Sequence, residues 1–286
     1  MNAVPNAEDL VRTGNPAQAL KALQDQVRAA PGDAKLRVFL FQLLCVLGQW
    51  ERALAQLDVV AKLDASALAM VQTYREAIKC ELLRAEVFAG RKSPMVFGQP
   101  DAWLGLLIEG LLRGGRGEAA EGARLREMAF EQAPTTSGSL RTGSQQKDDP
   151  GTRFSWIADA DTRLGPVLEA IINGRYYWIP FARLSMVAID APADLRDSVW
   201  MPAHLGFENG GESVALIPTR YPGSESSEDG QVVLSRKTLW QELSAETFAG
   251  LGQRVLTTDA EDFPLMDVRS IEIEPAATDA NAASAE

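Results

Sequence analysis

The residues best suited to chemistry lie together in Trp156-Ile157-Ala158-Asp159-Ala160-Asp161-Thr162-Arg163-Leu164-Gly165-Pro166. Two carboxylates two residues apart can hold a divalent cation, because hard cations take oxygen ligands, and an adjacent arginine can position an anionic substrate. With His204 as a third participant, Asp159 and Asp161 would make a metal-assisted hydrolase. A plainer use competes with this one. Aspartates just ahead of an amphipathic helix accept its free N–H groups and favour its dipole, which accounts for both residues without a ligand and is the preferred reading. His204 is the only histidine, so a Ser-His-Asp triad or a multi-histidine zinc site would have to run through it, and Met201-Pro202-Ala203-His204 reads as a loop. Cys45 and Cys80 fall among apolar neighbours inside expected helices. They suit buried small hydrophobes better than a disulfide or a nucleophile, and they lack metal-ligand spacing. No metal and no cofactor is expected.

The elements around these residues form an expected second domain. Asp159 or Asp161 would cap a helix whose apolar stripe is Leu164, Val167, Leu168, Ile171 and Ile172, stopped by Asn173-Gly174. Strand-like segments follow at Tyr176–Phe181, Leu184–Ile189, Ser198–Pro202, Ser213–Pro218 and Gln231–Ser235, punctuated by Pro180, Pro192, Pro218 and Pro222-Gly223. The run Tyr176-Tyr177-Trp178 offers a binding platform, but alternation on a half-buried strand places at least one ring in the core. This pattern predicts a largely antiparallel α+β domain over 153–275.

Ahead of it the sequence repeats. Gly14-Asn15-Pro16-Ala17-Gln18-Ala19-Leu20 returns 34 residues later as Gly48-Gln49-Trp50-Glu51-Arg52-Ala53-Leu54, the period of a tetratricopeptide unit. Small Ala19 and Ala53 suit the close helix crossing, with Leu23 and Leu57 in the core. Pro31-Gly32-Asp33 closes the first unit. A degraded third copy runs from Trp103 through Gly114-Gly115-Arg116-Gly117-Glu118-Ala119 to Pro134, and Ala67–Ala89 reads as a further amphipathic helix. Residues 1–134 are therefore an expected tetratricopeptide-like helical domain. The polar stretch 135–152 is an expected linker, and 276–286 an expected disordered acidic tail.

Composition narrows the function. The 286 residues suffice for two modest cores. The formal net charge is −11, with eight acids and one base from Thr257 onward, so nucleic acid and anionic membrane surfaces are poor partners and protein surfaces are the default. Met1–Asn15 has neither a basic start nor an apolar run, and no segment reaches the roughly 18 apolar residues that span a bilayer. A cytoplasmic location is expected.

The stretch Leu36-Arg37-Val38-Phe39-Leu40-Phe41-Gln42-Leu43-Leu44, with Gly48-Gln49-Trp50-Glu51-Arg52-Ala53, Trp156-Ile157-Ala158-Asp159-Ala160-Asp161 and Asn173-Gly174-Arg175-Tyr176-Tyr177-Trp178-Ile179-Pro180-Phe181, resembles the ImpE/TagJ family of type VI secretion accessory proteins. The resemblance runs from about Val11 to Glu274. It implies a non-enzymatic, cytoplasmic adaptor that binds the small subunit of the contractile sheath through a helix near that subunit's N-terminus, with an indirect link to the sheath-recycling unfoldase ATPase. A general tetratricopeptide-type chaperone is the remaining alternative. Repeat geometry, in which the first helix of a unit lines the groove, puts Lys35, Val38, Gln42 and Cys45 forward as the partner-binding strip.

Overall fold

Three helical hairpins turn on the same device. They are α1 (Ala7–Arg12) with α2 (Pro16–Ala29), α3 (Ala34–Val46) with α4 (Trp50–Leu63), and, after the long α5 (Leu68–Phe88) and the short strand β1 (Met95–Val96), α6 (Ala102–Gly115) with α7 (Ala119–Gln132). At each turn a glycine takes a left-handed backbone: Gly14, Gly48 and Gly117, with φ of 85°, 64° and 88°. The next N–H then reaches back to a carbonyl of the outgoing helix, Asn15 to Leu10, Gln49 to Leu44 and Glu118 to Arg113, at 2.8, 2.8 and 3.0 Å. A side chain would strain that conformation, which is why the glycine recurs. The computed structural model describes residues 6–146, 148–244 and 247–275; the expected tail 276–286 lies outside the described residues.

The rest of the chain is sheet. The strands are β2 (Gly138–Thr142), β3 (Thr152–Phe154), β4 (Ile157–Asp159), β5 (Val167–Ile172), β6 (Arg175–Pro180), β7 (Leu184–Ile189), β8 (Trp200–Phe207) and β9 (Glu212–Pro218). After the single turn α8 (Gly230–Val233) come β10 (Thr238–Ser244), β11 (Thr247–Gly252), β12 (Val255–Thr258), β13 (Asp262–Pro264) and β14 (Val268–Ile273). The main sheet has the order β1-β6-β5-β9-β8-β7-β14-β2-β3, antiparallel except where β1 runs parallel to β6. β13-β12-β4 form a small sheet, and β10-β11 a separate hairpin.

One face of the main sheet carries the helices. Val167, Ile171, Tyr176, Trp178, Trp200 and Leu216 join the core built by α1 to α7, while Leu168, Ala170, Ile172, Ile179, Met201 and Ala203 belong to a second core on the opposite face. Trp200 meets Trp50 of α4 and Tyr74 of α5, with ring centroids 6.0 and 5.7 Å apart. The helical repeats and the sheet thus share one apolar interior.

Four expectations change here. The segment Leu164–Ile172 is not a helix: its apolar residues fall at helical spacing, but all six residues of β5 are buried, and a strand covered on both faces shows no alternation. Gln231–Ser235 is not a strand; Asp229 accepts the Gln231 N–H and starts α8. The expected linker 135–152 contains β2, which lies between β14 and β3 in the main sheet. His204 sits in β8, opposite Ala188 and Val214, not in a loop.

Because the interior is shared, unfolding should be cooperative. Urea transitions followed by far-UV circular dichroism, which reports the helices, and by tryptophan fluorescence, to which buried Trp178 and Trp200 contribute, are expected to coincide; separate midpoints would mean that helices and sheet fold independently. Leu57→Ala, at a fully buried repeat position, should cost about 2–5 kcal/mol in the same measurement.

Candidate functional site

The carboxylates that could have done chemistry are engaged within the protein. Asp159 accepts from the Tyr221 hydroxyl at 2.9 Å, from the Asp161 N–H at 2.9 Å and from Arg254 Nη1. Asp161 accepts Arg163 Nε at 2.9 Å and Nη2 at 2.5 Å, the Arg163 N–H at 3.0 Å and the Gly250 N–H at 3.0 Å. Neither caps a helix. Each accepts the backbone N–H two residues on, the local turn that short acidic side chains favour. Among the described residues no three of His, Cys, Asp and Glu come together to hold a metal ion. His204 is exposed on β8, whereas both aspartates are buried.

Asp159 belongs to a larger buried network. Glu169, placed by β5 on the helix-facing side of the sheet, receives Arg84 Nε at 2.7 Å and Nη2 at 2.9 Å from α5, together with Arg254 Nη2 and the Tyr176 hydroxyl. Trp178 Nε1 donates to the Tyr176 oxygen at 2.7 Å. Arg84 Nη2 also reaches the Arg220 carbonyl at 2.9 Å, and Arg254 Nε the Pro218 carbonyl at 2.9 Å. Burial raises the Glu169 carboxyl, but the Arg84 and Arg254 guanidiniums outweigh it and hold it down to about 2. For Asp159 burial is the stronger influence and pushes it up to about 7 against the pull of Arg254. Glu81 also pairs with Arg84, its oxygen 3.4 Å from Nη1, so the two arginines are met by three carboxylates inside the protein.

The expected groove strip is divided. Lys35 is exposed and Val38 half-buried, but Gln42 and Cys45 are buried. The reason is the sheet domain. Arg220 sends Nη2 to the Cys45 carbonyl at 3.0 Å and Nη1 to the Val46 carbonyl at 2.6 Å, capping the end of α3, so this part of the repeat groove is filled by the chain itself. Burial raises the Cys45 thiol well above its ordinary range and pushes Cys80 up to about 12, so neither is a ready nucleophile. Tyr176 and Trp178 are core residues, and Tyr177 is half-buried.

An exposed apolar surface lies elsewhere. The β10-β11 hairpin presents Leu239, Trp240, Leu243 and Phe248, each about two-fifths exposed. It is anchored beneath by Tyr221, whose ring lies 5.7 Å from that of Trp240 and against Gly250, where an added Cβ would come within 2.2 Å of the ring. Phe130 on α7 and Trp156 are also exposed and line one shallow depression. The strand register puts Trp240 and Phe248 on one face of the hairpin and Leu239 on the other, and exposed apolar side chains of this size are what protein partners cover. Sequence reasoning missed it because Leu239–Leu243 has no strict alternation and follows a segment expected to be a strand.

Comparison with known proteins agrees with this architecture. Residues 151–272 match the family model described as ImpE protein, and residues 10–75 match a tetratricopeptide repeat model. A Pseudomonas aeruginosa protein, the type VI secretion system accessory component TagJ, is 50% identical over 269 residues, covering 94% of this chain and 91% of that protein. The crystal structure of a protein from Vibrio parahaemolyticus superposes with a TM-score of 0.82 at 25% identity, covering 95% of this chain and 98% of the other.

The buried network sets a pH dependence. Because Glu169 is held near 2 in the folded protein and titrates near 4.5 in the unfolded chain, its stabilisation is complete above about pH 4.5 and is lost as pH falls toward 2. Denaturation midpoints across that range should show the acid limb, and Glu169→Gln should flatten it. Glu169→Ala, which removes the carboxylate shared by Arg84 and Arg254 and leaves them only Glu81 and Asp159, should cost about 3–5 kcal/mol at neutral pH.

Proposed function

Because the chain belongs to the ImpE family, we propose that it serves as an accessory component of a type VI secretion system, as an adaptor that binds the small subunit of the contractile sheath through a helix near that subunit's N-terminus. The observation that carries the accessory role is half identity to a type VI secretion accessory component across both the helical and the sheet regions. The adaptor reading has further support from physical features. Tetratricopeptide hairpins recognise helices by laying them against apolar surface, and an exposed apolar hairpin flanks α7. A non-enzymatic role fits Asp159, Asp161 and Glu169, whose oxygens are occupied by internal donors. No helix among the described residues is long and apolar enough to cross a membrane. A connection to the sheath-recycling unfoldase would run through the sheath subunit.

Isothermal titration of the whole protein with the N-terminal helix peptide of the small sheath subunit from its own secretion cluster tests the adaptor role, beside a charge-matched scrambled peptide. Micromolar or tighter binding of the native peptide alone, about 8 kcal/mol, is expected. Equal binding of both peptides would point to a general chaperone, and silence from both would remove the sheath-binding role.

A further inference from the structure

The third helical hairpin breaks its own repeat at one position. Counted from the left-handed glycine of each turn, the fifth residue is Ala19, Ala53 or Gly122, and the ninth is Leu23, Leu57 or Arg126. The fifth position stays small because the helices approach closely there: a Cβ on Gly122 would lie 2.8 Å from the Gly110 carbonyl oxygen. At the ninth, the two leucines are fully buried, and Arg126 is only 7% exposed. A leucine would satisfy the repeat, so the charge needs its own explanation.

Among the described residues that charge has no ion-pair partner. Arg126 Nη2 donates to Thr247 Oγ1 of the hairpin at 2.9 Å, and no carboxylate pairs with it among the described residues. Asp161 acts on it electrostatically but is already bound by Arg163 and the Gly250 N–H. Burial lowers Arg126 below the usual arginine range, Asp161 offsets part of this, and Arg163 adds to it. A buried cation with no paired carboxylate among the described residues is costly, in contrast to the compensated Arg84 and Arg254.

The surrounding shape is open to a ligand. Between α6, α7 and the β10-β11 hairpin lies a cleft of about 290 Å³, walled by Phe88, Gly114 and Leu243 and lined by Arg126 and Arg163. Arg163 lies over the Phe88 ring, its Cζ 4.9 Å from the centroid. A second depression along α7 shares Arg126 and Thr247 with the first and extends to Phe130, with Glu127 and Glu131 beside it. From Ala120 to Phe130 the rise is about 15 Å, close to three turns of a docked helix.

We propose that this groove is the docking site of the partner helix, with one Asp or Glu of that helix paired to Arg126, apolar residues against Leu243 and Phe130, and basic residues toward Glu127 and Glu131. The inference rests on the adaptor reading and adds where the helix binds and what sets its register. Charge complementarity selects the occupant. On a chain of net charge −11 an acidic helix is repelled in general, so one carboxylate paired to the buried Arg126 fixes position more sharply than apolar contact does.

The test is titration of the full chain, and of its Arg126→Gln and Leu243→Glu variants, with the native sheath-subunit helix peptide and with the same peptide carrying Asn and Gln in place of its Asp and Glu. Neutralising the peptide is expected to weaken binding to the wild-type chain at least tenfold and to change binding to Arg126→Gln little, because the pair is already broken. Leu243→Glu, at an exposed position that tolerates substitution, should also weaken the native peptide at least tenfold, and it keeps the test valid if Arg126→Gln does not fold. Undiminished affinity of the neutralised peptide for the wild-type chain together with undiminished affinity of the native peptide for Leu243→Glu would overturn the groove and leave the adaptor role standing. No binding of the native peptide to the wild-type chain would remove both.

Discussion

Glu169 is the point on which the two halves of this protein meet. It sits within a strand whose neighbours are all buried, where an unpaired carboxylate would be untenable. Arg84 reaches it from α5, Arg254 from the chain between β11 and β12, and Tyr176 from the adjacent strand. Three layers are thereby tied together: helices, main sheet and, through Asp159, the small sheet. Each member depends on the others, because removing one leaves a buried charge exposed to its own desolvation cost. Apolar packing brings the helices to the sheet, and the network admits only one relative placement of them.

That placement has a consequence for recognition. A free tetratricopeptide stack presents its groove to a partner, but here Arg220 caps α3 from the sheet domain and Trp200 packs between Trp50 and Tyr74. The first two hairpins therefore spend much of their inner surface on their own C-terminal half. The third hairpin is different: its second helix runs beside the β10-β11 hairpin, whose apolar side chains are partly exposed. Surface for a partner has moved from the repeats that keep the motif best to the one that keeps it least.

The sequence made some of this legible and concealed the rest for identifiable reasons. The helical hairpins were readable because left-handed glycine, small crossing residue and core leucine recur at a fixed interval, each imposed by local geometry. Strands β6, β7 and β9 were readable from β-branched and aromatic runs bounded by proline and glycine. β5 was not, since Leu164, Val167, Leu168, Ile171 and Ile172 fit a helix and burial on both faces erased the alternation that distinguishes a strand. β2 was hidden for the opposite reason. Its residues are polar apart from Leu140, and it is held by pairing with β14 and β3, which only the fold supplies. Of the expected groove strip, Gln42 and Cys45 were misplaced because repeat geometry carries no knowledge of a domain that fills the groove.

The same logic separates the arginines of the interior. Arg84 and Arg254 are buried beside carboxylates that arrive from other elements, so their charges are explained by the fold that contains them. Arg220 is buried among backbone carbonyls and closes a helix end. Arg126 alone of these four has a single hydroxyl for a partner among the described residues, and it occupies a position that two other copies of the repeat fill with leucine. A fold that compensates its other buried guanidiniums from within leaves this one facing a cleft. With no carboxylate paired to it among the described residues, a counter-charge supplied from outside would make the least regular repeat the one suited to reading a partner.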